Sequence, residues 1–588
     1  THGYRLPRRG DPIDQADNDD YSRLDDGNTA TFWKSNPYLD PALDREDPTP
    51  HPQWVLADLG AVAPVNAIRI FWAAPYATDF RVQYWVGSSA LVEMNPIGHW
   101  VTFPRGELRA STGGDQRISL ADAPVDTRFV RLVLTASSHT ALPSASVTDA
   151  RDSRDAAGYA IRELWIGARA GDSIVDVLHH GTTRATQSIT YTSSTDPWHR
   201  ASDIDSTLEQ PGFDRVARSG LANHLPMMIP VPVLFSTPDD GANELRFLRR
   251  RGYAVDRVEL GEEPDGQYVT PEDFASLYLR WATALRAVWP GVTLGGPSFQ
   301  SPENQVMMPW PDDSAGAPWT TRFLGVLRAR GRLADFAFLS FEWYPFDDVC
   351  NSTGPQLASA PARLSNALRQ LRAQGVPAAM PIVISEFGYS AFAAQAEVAM
   401  PGALYEADLV GHFLSLGGAT AFLYGYEPTS LDHDPDCPSG YGNNALFLAT
   451  APPRAPSPVA TYHAMRLLTH EWLEPGRRMH EVHAALATLR GEPDTLLSAY
   501  AVRRPDRKWA VLLVNRDETH SRTVRLSLGD GSDARLTREL HDEWLFSAQQ
   551  YRWHPNGLAG KASPNLGARH RATRDSLLVM PPYSLAVV

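Results

Sequence analysis

Two stretches decide the architecture of this chain: Val255-Asp-Arg-Val-Glu-Leu-Gly-Glu-Glu-Pro264 and Pro381-Ile-Val-Ile-Ser-Glu-Phe-Gly388. Each is a short run of mostly apolar residues that ends in a glutamate followed by a turn-forming residue. Such runs are typical of buried strands in a parallel sheet, and the side chains just past them lie where (β/α)8 barrels open. We therefore expect Glu263 and Glu386 to follow two barrel strands that are about three βα units apart.

The sequence around these stretches, from 171 to 473, alternates β-branched runs with amphipathic segments, which predicts βα units around a parallel sheet. The clearest helix is Pro271–Trp289, with Thr270 as its N-cap and Pro271 at the first helical position. Eight strands suit a TIM barrel. The predicted strands are Ile174–Leu178, Ser188–Thr192, Met227–Phe235, Val255–Leu260, Val292–Leu294, Phe336–Ser340, Ile382–Ser385 and Ala419–Tyr424.

The two flanking regions show a period of two, which predicts antiparallel strands with one solvent-facing side. The predicted strands are Trp54–Leu59, Ala67–Trp72, Phe80–Val86, Arg128–Leu134 and Ile161–Ile166 before the barrel, and Thr495–Val502, Trp509–Asn515, Thr523–Leu528 and Tyr583–Val588 after it. The predicted fold is multidomain, with a β-sandwich at 1–170, the barrel at 171–473 and a second β-sandwich at 474–588.

The charge balance restricts the partners of the chain. It has 588 residues with 54 Lys and Arg against 68 Asp and Glu, a net charge of −14. This balance argues against nucleic acid and anionic membrane surfaces as partners. No apolar run is long enough for a membrane span, and no signal peptide stands at Thr1, as in a mature secreted chain or a cytosolic one. Cys350 and Cys437 lie in loop-like sequence, where either a disulfide or two free thiols would fit.

Several runs in the first 170 residues carry a family resemblance. Asp25-Asp-Gly-Asn-Thr-Ala-Thr-Phe-Trp33, Gln53-Trp-Val-Leu-Ala-Asp-Leu-Gly60, Arg128-Phe-Val-Arg-Leu132 and Ile161-Arg-Glu-Leu-Trp-Ile166 resemble, in order and spacing, a discoidin (coagulation-factor type C) domain. The resemblance implies a β-sandwich that binds carbohydrate through loops at one end and that sometimes holds a structural calcium ion. A spacer packed on the central domain is the alternative.

The two glutamates have the chemistry that cleavage of a glycosidic bond with retention requires. Such a reaction uses two carboxyl groups about 5 Å apart, one as acid and base and one as nucleophile. The region 171–470 resembles the clan A retaining glycoside hydrolases, especially families 39 and 79, which carry an Asn-Glu-Pro motif on strand four and a Glu on strand seven. The resemblance implies that Glu263 is the acid/base and Glu386 the nucleophile. Tyr344, in Phe338-Leu-Ser-Phe-Glu-Trp-Tyr-Pro345, matches a tyrosine that commonly donates a hydrogen bond to the nucleophile.

The sequence departs from the family pattern at two positions. Glu262 stands where the family has Asn, and Glu342 stands where it often has His. A carboxylate only accepts hydrogen bonds at neutral pH, so Glu262 would reverse the polarity of a contact to the sugar. Glu259 alternates with Glu263 along its strand and is a candidate supporting carboxylate.

Other residues are candidates for binding the sugar. Trp198, Trp343 and Tyr426 follow predicted strands and could present flat rings to a pyranose. Two groups, His179-His180 and Asp432-His433-Asp434, resemble metal ligands, but they lack the fixed spacing of a third ligand, so we expect no catalytic metal.

The sequence as a whole predicts a secreted or periplasmic retaining glycoside hydrolase that degrades polysaccharide by double displacement, through a covalent glycosyl–Glu386 intermediate. A carbohydrate-binding protein built on an inactive barrel, and a transglycosylase that uses the same two glutamates, are the alternatives. The sugar, its anomer and exo or endo action stay open.

Overall fold

The computed structural model describes residues 2–4, 22–43, 51–87, 97–142, 153–197, 204–209, 212–220, 225–267, 269–303, 317–435, 437–438, 440–449, 456–474, 476, 480–484, 495–526, 540–575 and 577–588. The chain forms two compact units. The first contains Thr1–Phe338 and Gln374–Pro377, and the second contains Leu339–Ala373 and Ala378–Val588.

The first unit begins with a β-sandwich of two antiparallel sheets. One sheet has the order Ser173–Asp176, Ala160–Ala170, Ala67–Trp72, Asp115–Ser119, with Trp33–Lys34 also paired to Ala160–Ala170. The other has the order Ile189–Thr192, Gln53–Val65, Val125–Ser137, Ala77–Gly87, Gly98–Leu108. Alternate residues of both sheets form one core that includes Trp33, Ile68, Phe80, Leu132 and Leu164. The alternation in the sequence therefore located all five predicted strands of this region.

Two of the predicted barrel strands belong to this sandwich instead, so their assignment was wrong. Ser173–Asp176 pairs antiparallel with Ala160–Ala170, and Ile189–Thr192 pairs antiparallel with Gln53–Val65. Both runs are only four residues long, and a short apolar run has the same pattern in either kind of sheet. The antiparallel pairing carries the sandwich beyond residue 170. The wider division into three domains stays a prediction.

The first unit also contains three parallel strands, Met227–Val231, Val255–Leu260 and Leu294–Phe299. Its helices are Phe213–Ser219, Pro238–Arg251, Pro271–Val288 and Trp319–Ala329. The third of these matches the predicted helix to within one residue, and the Thr270 side chain accepts a hydrogen bond from the backbone N–H of Asp273 as its N-cap. The capping prediction is therefore confirmed.

A buried polar contact joins the sandwich to the helix Pro271–Val288. His51 Nδ1 lies 2.7 Å from Asp273 Oδ1, and both side chains are almost fully buried. His51 Nε2 lies 3.1 Å from the Ser276 hydroxyl on the same helix. Buried polar groups are retained where each has a partner, so this contact fixes the sandwich on the helix.

The second unit continues the alternation of strands and helices. Its parallel strands are Leu339–Trp343, Ile382–Phe387 and Thr420–Leu423, and its helices are Thr353–Ala373, Gln395–Val398, Met400–Ser415 and Ala460–Leu467. Each of the other six predicted barrel strands thus overlaps or adjoins a parallel strand. The described part of the chain does not show a closed eight-stranded barrel.

The C-terminal part of the second unit is a six-stranded antiparallel sheet. Its order is Glu481–Ala484, Leu497–Arg503, Trp509–Asn515, Ser584–Val587, His541–Phe546, Arg569–Thr573. Two further strand pairs are Arg522–Arg525 with Leu577–Met580 and Tyr551–His554 with Lys561–Asn565. One core of this sheet contains Trp472, Tyr500 and Leu585 and includes residues of the helices Met400–Ser415 and Ala460–Leu467. This packing explains why the residues on one face of these strands are apolar in the sequence.

Four shorter strands form two pairs between the helices of the second unit, Asp432–His433 with Tyr441–Gly442 and Phe447–Leu448 with Ser457–Pro458. In the first unit His2–Tyr4 pairs with Ile204–Glu209. Among the described residues, no helix is both long and apolar enough to cross a membrane.

A disulfide joins Cys350 to Cys437, the pairing that the sequence left open. Cys350 lies in the segment that follows the strand Leu339–Trp343, and Cys437 lies in the segment that follows the strand Thr420–Leu423. The bond therefore holds together two segments that leave neighbouring parts of the same parallel sheet. It closes a loop with a sequence separation of 87 residues.

We expect the double substitution Cys350→Ser and Cys437→Ser to lower the melting temperature of the second unit. Closing a loop of this length restricts the unfolded chain, which stabilises the fold by about 4 kcal/mol in the chain-entropy model. Differential scanning calorimetry of the wild type and the double variant, with and without reductant, measures the effect. A transition that responds to neither change would contradict this role of the disulfide.

Candidate active site

The second unit places the predicted nucleophile beside the predicted tyrosine. Glu386 lies near the end of the strand Ile382–Phe387, and Tyr344 directly follows the strand Leu339–Trp343. The Tyr344 hydroxyl donates a hydrogen bond of 2.7 Å to Glu386 Oε1. Burial, and then the negative charge of Glu386, raise the pKa of Tyr344 well above its ordinary value. The phenol therefore stays protonated and keeps its role as a donor.

Close packing fixes the ring of Tyr344. A Cβ atom at Gly388 would lie 2.7 Å from the Tyr344 ring, so only glycine fits at this position without displacing the ring. Tyr424 lies edge-on to the same ring, with 6.4 Å between the centroids, and is 48% exposed. The hydroxyl of Tyr344 is thus held toward Glu386 by neighbours on two sides.

A second carboxylate accompanies Glu386. Glu342 is buried, and it lies opposite Glu386 in the pairing of the parallel strands Leu339–Trp343 and Ile382–Phe387. Its negative charge also contributes to the raised pKa of Tyr344. Trp343, which the sequence proposed as a stacking ring, is only 3% exposed and packs against Phe341. The tertiary structure makes Trp343 a core residue.

The first unit holds the predicted acid/base in a tight turn. Glu263 has a φ of 44°, a left-handed conformation that is uncommon for a residue with a side chain. Its backbone N–H donates to the carbonyl oxygen of Ser298, and its own carbonyl accepts from the N–H of Gly266. These bonds fix the main chain of the turn that follows the strand Val255–Leu260. Such outliers are frequent at functional sites.

Three other carboxyl groups lie close to this turn in sequence. Glu262 is exposed over much of its surface. The burial of the rest of its side chain, and then the charge of Glu263, raise its pKa. Asp265 is buried and accepts hydrogen bonds from the backbone N–H groups of Gln300 and Ser301. Burial raises the pKa of Asp265 to about 7. Glu259 is buried, as the alternation along its strand predicted.

The structure describes one of the two other predicted sugar-binding residues, Tyr426 and Trp198. Tyr426 is 56% exposed and lies 6.2 Å from the ring of Phe447, so its ring is accessible. Trp198 lies outside the described residues. In the second unit the structure thus brings together Glu342, Tyr344 and Glu386, and each unit presents one of the two predicted catalytic glutamates.

Sequence reasoning missed Gly388 and Tyr424 as members of this neighbourhood, and it missed the buried Asp265. Gly388 was recognised only as a turn residue, because its packing against Tyr344 depends on a residue 44 positions away. Tyr424 ends a predicted strand, which was an available signal, whereas nothing in the pattern Glu-Pro-Asp distinguishes a buried Asp265 from an exposed one.

A separate cluster of acidic residues lies in the sandwich, the domain for which the resemblance implies that a structural calcium ion is sometimes held. Asp25 and Glu163 are fully buried, and Asp25 Oδ2 and Glu163 Oε2 accept no hydrogen bond from the described residues. However, no group of three or more His, Cys, Asp or Glu side chains in the described ranges could hold a metal ion. The acidic side chains therefore do not form a metal site by themselves, and the calcium stays a prediction.

His180 supplies the positive charge in this cluster. Its Nδ1 lies 2.5 Å from Glu163 Oε1, and its Nε2 lies 2.7 Å from Asp176 Oδ2. The hydrogen bonds to Asp176 and Glu163 raise the pKa of His180 to about 10. Burial, and then the charge of Glu163, raise the pKa of Asp25 to about 8. An imidazolium thus lies between two carboxylates of the sheet, and the backbone N–H of Gly27, in the loop that follows Asp25, donates to Glu163 Oε1.

Comparisons with known proteins identify one domain of the chain. Residues 13–146 match the F5/8 type C domain. This confirms the discoidin resemblance. No curated protein matches the chain.

Several solved structures are similar to the chain. A family 51 alpha-L-arabinofuranosidase from Bifidobacterium longum is 13% identical, with 67% of this chain and 81% of that chain covered and a TM-score of 0.44. The family 44 endoglucanase from Clostridium thermocellum is 14% identical, with 58% of this chain and 68% of that chain covered and a TM-score of 0.40. A chitosan-binding module from a Paenibacillus sp. IK-5 chitosanase/glucanase is 22% identical, with 25% of this chain and 84% of that chain covered and a TM-score of 0.17.

The discoidin domain should lose stability as the pH rises. The folded pKa values of His180 and Asp25 both lie above their unfolded values, so the folded state binds protons more tightly. The contribution of Asp25 is lost between about pH 4 and 8, and that of His180 is lost between about pH 6.5 and 10. We expect the melting temperature of this domain to be lower at pH 9.5 than at pH 6. Calorimetry at both values checks this.

The variant His180→Gln keeps a side chain of similar size without the titrating charge. It should melt below the wild type at pH 6, and its melting temperature should change less between pH 6 and 9.5. Equal pH dependence in the two proteins would show that His180 does not carry the effect.

Proposed function

We propose that this chain is a retaining glycoside hydrolase of the kind that the clan A resemblance implies, with Glu386 as nucleophile and Glu263 as general acid/base. The observation that best supports this is the hydrogen bond of 2.7 Å from Tyr344 to Glu386. A half-buried phenol that donates to a carboxylate at the end of a parallel strand orients one carboxylate oxygen and leaves the other to react.

The proposed reaction has two steps. In the first, a Glu386 oxygen forms a bond to the anomeric carbon while the glycosidic bond breaks, and the Glu263 carboxylic acid gives its proton to the leaving oxygen. In the second, the Glu263 carboxylate takes a proton from water, the water oxygen attacks the anomeric carbon, and Glu386 leaves as a carboxylate. Tyr344 stabilises the ionised Glu386 at the beginning and the end of this cycle.

Further features support a carbohydrate substrate and an extracytoplasmic location. The F5/8 type C domain at 13–146 supports a role in holding the protein on a poly- or oligosaccharide. The exposed ring of Tyr426 suits contact with a sugar. The Cys350–Cys437 disulfide is of a kind that persists mainly in oxidising compartments, so we propose a secreted or periplasmic protein.

The first test is hydrolysis of a panel of aryl glycosides, in both anomers and both ring forms, by the wild type, Glu263→Ala and Glu386→Ala. We expect each substitution to lower kcat at least about 10³-fold on a substrate that the wild type cleaves, because each removes a group that acts in the transition state. Azide should restore turnover, giving the glycosyl azide of retained configuration with Glu263→Ala and of inverted configuration with Glu386→Ala.

The matched control is Glu481→Ala, since Glu481 lies in the C-terminal sheet and its side chain is 65% exposed. It should leave kcat unchanged. Turnover that survives in either of the first two variants would contradict the assigned roles. A wild type that binds polysaccharide but cleaves no glycosidic bond would favour the alternative of a binding protein, and transfer to added alcohol in preference to water would favour a transglycosylase.

Tyr344→Phe tests the supporting hydrogen bond. We expect kcat to fall about 10- to 100-fold, because Glu386 loses its oriented donor. The acidic limb of the pH–rate profile should move to higher pH, because the ionised carboxylate is less stabilised. The control is Tyr462→Phe, since Tyr462 lies on the helix Ala460–Leu467 and its ring packs against Phe447. A pH–rate profile of Tyr344→Phe identical to that of the wild type would contradict the proposed role of this hydrogen bond.

A further inference from the structure

One polar side chain beside Tyr344 has no assigned role. Asn444 lies in the segment between the short strands Tyr441–Gly442 and Phe447–Leu448. Its Oδ1 is buried and accepts no hydrogen bond from any residue that the structure describes. The residue as a whole is half-buried. An enclosed acceptor without a partner is costly for a folded protein, and such groups call for an explanation.

The position of this amide relates it to the proposed nucleophile. A Cβ atom at Gly388 would lie 3.9 Å from Asn444 Oδ1 and 2.7 Å from the ring of Tyr344. Gly388 is two residues after Glu386, and Tyr344 donates to Glu386. Asn444, Tyr344 and the segment that carries Glu386 therefore meet around one glycine. A side chain at Gly388 would fill the space that they share.

The main chain around Asn444 is held firmly. The neighbouring Asn443 is buried, and its Nδ2 donates to the carbonyl oxygens of Thr429 and Ser430. Gly425, with a φ of 84°, packs so closely that a Cβ atom there would overlap the carbonyl oxygen of Asn444. The N–H of Leu446 donates to the carbonyl oxygen of Gly425 at 2.8 Å. The loop is thus fixed by Asn443 and Gly425, without the side chain of Asn444.

The two neighbouring asparagines therefore differ in what they do. Asn443 uses its amide to hold the loop, whereas the oxygen of the Asn444 amide is buried and accepts no hydrogen bond from the described residues. We infer that Asn444 is a substrate-binding residue whose amide binds a hydroxyl group of the sugar unit held against Glu386. An amide in this position discriminates between a sugar that presents the hydroxyl and one that lacks it. This inference rests on the glycosidase function proposed above.

The experiment compares Asn444→Ala, Asn444→Asp and Asn366→Ala with the wild type. Asn366 is exposed on the helix Thr353–Ala373 and serves as the control. On the aryl glycoside that the wild type cleaves best, we expect Asn444→Ala to lower kcat/KM about 10- to 100-fold, mainly through KM. Asn444→Asp keeps an acceptor oxygen, so its KM should lie closer to that of the wild type. Melting temperatures should be unchanged in Asn444→Ala and Asn366→Ala, because the Asn444 side chain does not hold the loop and Asn366 is exposed.

Deoxy versions of the same glycoside identify the contact. The wild type should lose activity on one of them, and Asn444→Ala should discriminate against that compound much less. Unchanged kinetics of Asn444→Ala, or equal losses on every deoxy compound, would overturn the inference.

A binding measurement separates this inference from the proposed function. The probes are the iminosugars that correspond to the glycosides of the panel, titrated by calorimetry. If the wild type binds an iminosugar but cleaves no glycoside, the proposed hydrolase function is overturned. A Kd for the iminosugar that is roughly 10-fold higher in Asn444→Ala than in the wild type would still support the inference about Asn444. If the wild type neither cleaves a glycoside nor binds an iminosugar, both proposals are overturned.

Discussion

The side chains that follow parallel strands emerge together at the carboxyl end of the sheet, and this constraint organises the second unit. Glu342 and Glu386 lie in register on paired strands, and Tyr344 comes directly after the first of them. Bringing like charges together is unfavourable unless donors are placed beside them. The Tyr344 hydroxyl is such a donor, and the close approach of Gly388 holds its ring in place.

The same principle explains how buried charge is handled elsewhere in the chain. In the sandwich, His180 lies between Glu163 and Asp176, and at the edge of the sandwich His51 meets Asp273 of a helix. Both histidines lie far in sequence from a carboxylate that they bind. A buried carboxylate without a partner would take up a proton or unfold its surroundings, so these contacts join segments that the chain order keeps apart.

Hydrogen bonds and a disulfide hold the main chain around several of the candidate residues. The turn at Glu263 is fixed by backbone hydrogen bonds to both sides, and the loop that carries Asn444 is fixed by its neighbour Asn443. The disulfide between Cys350 and Cys437 holds two segments that follow strands of the second unit. Fixed main chain around a few polar side chains is what preorganised binding of a sugar requires, since orientation lost in the free protein would have to be recovered on binding.

Motifs in the sequence carried the resemblances that implied the discoidin domain and the hydrogen bond from Tyr344 to Glu386. The sequence by itself determined the strands with clear periodicity and the helix after Thr270. These depend on local pattern and on motifs of adjacent residues. Only the tertiary structure decided that Ser173–Asp176 and Ile189–Thr192 complete the sandwich, that Trp343 is a core residue, and that Gly388 and Asn444 lie around the ring of Tyr344. The physical reason is that strand partners, burial and close approach are set by residues distant in the chain, which a local pattern does not contain.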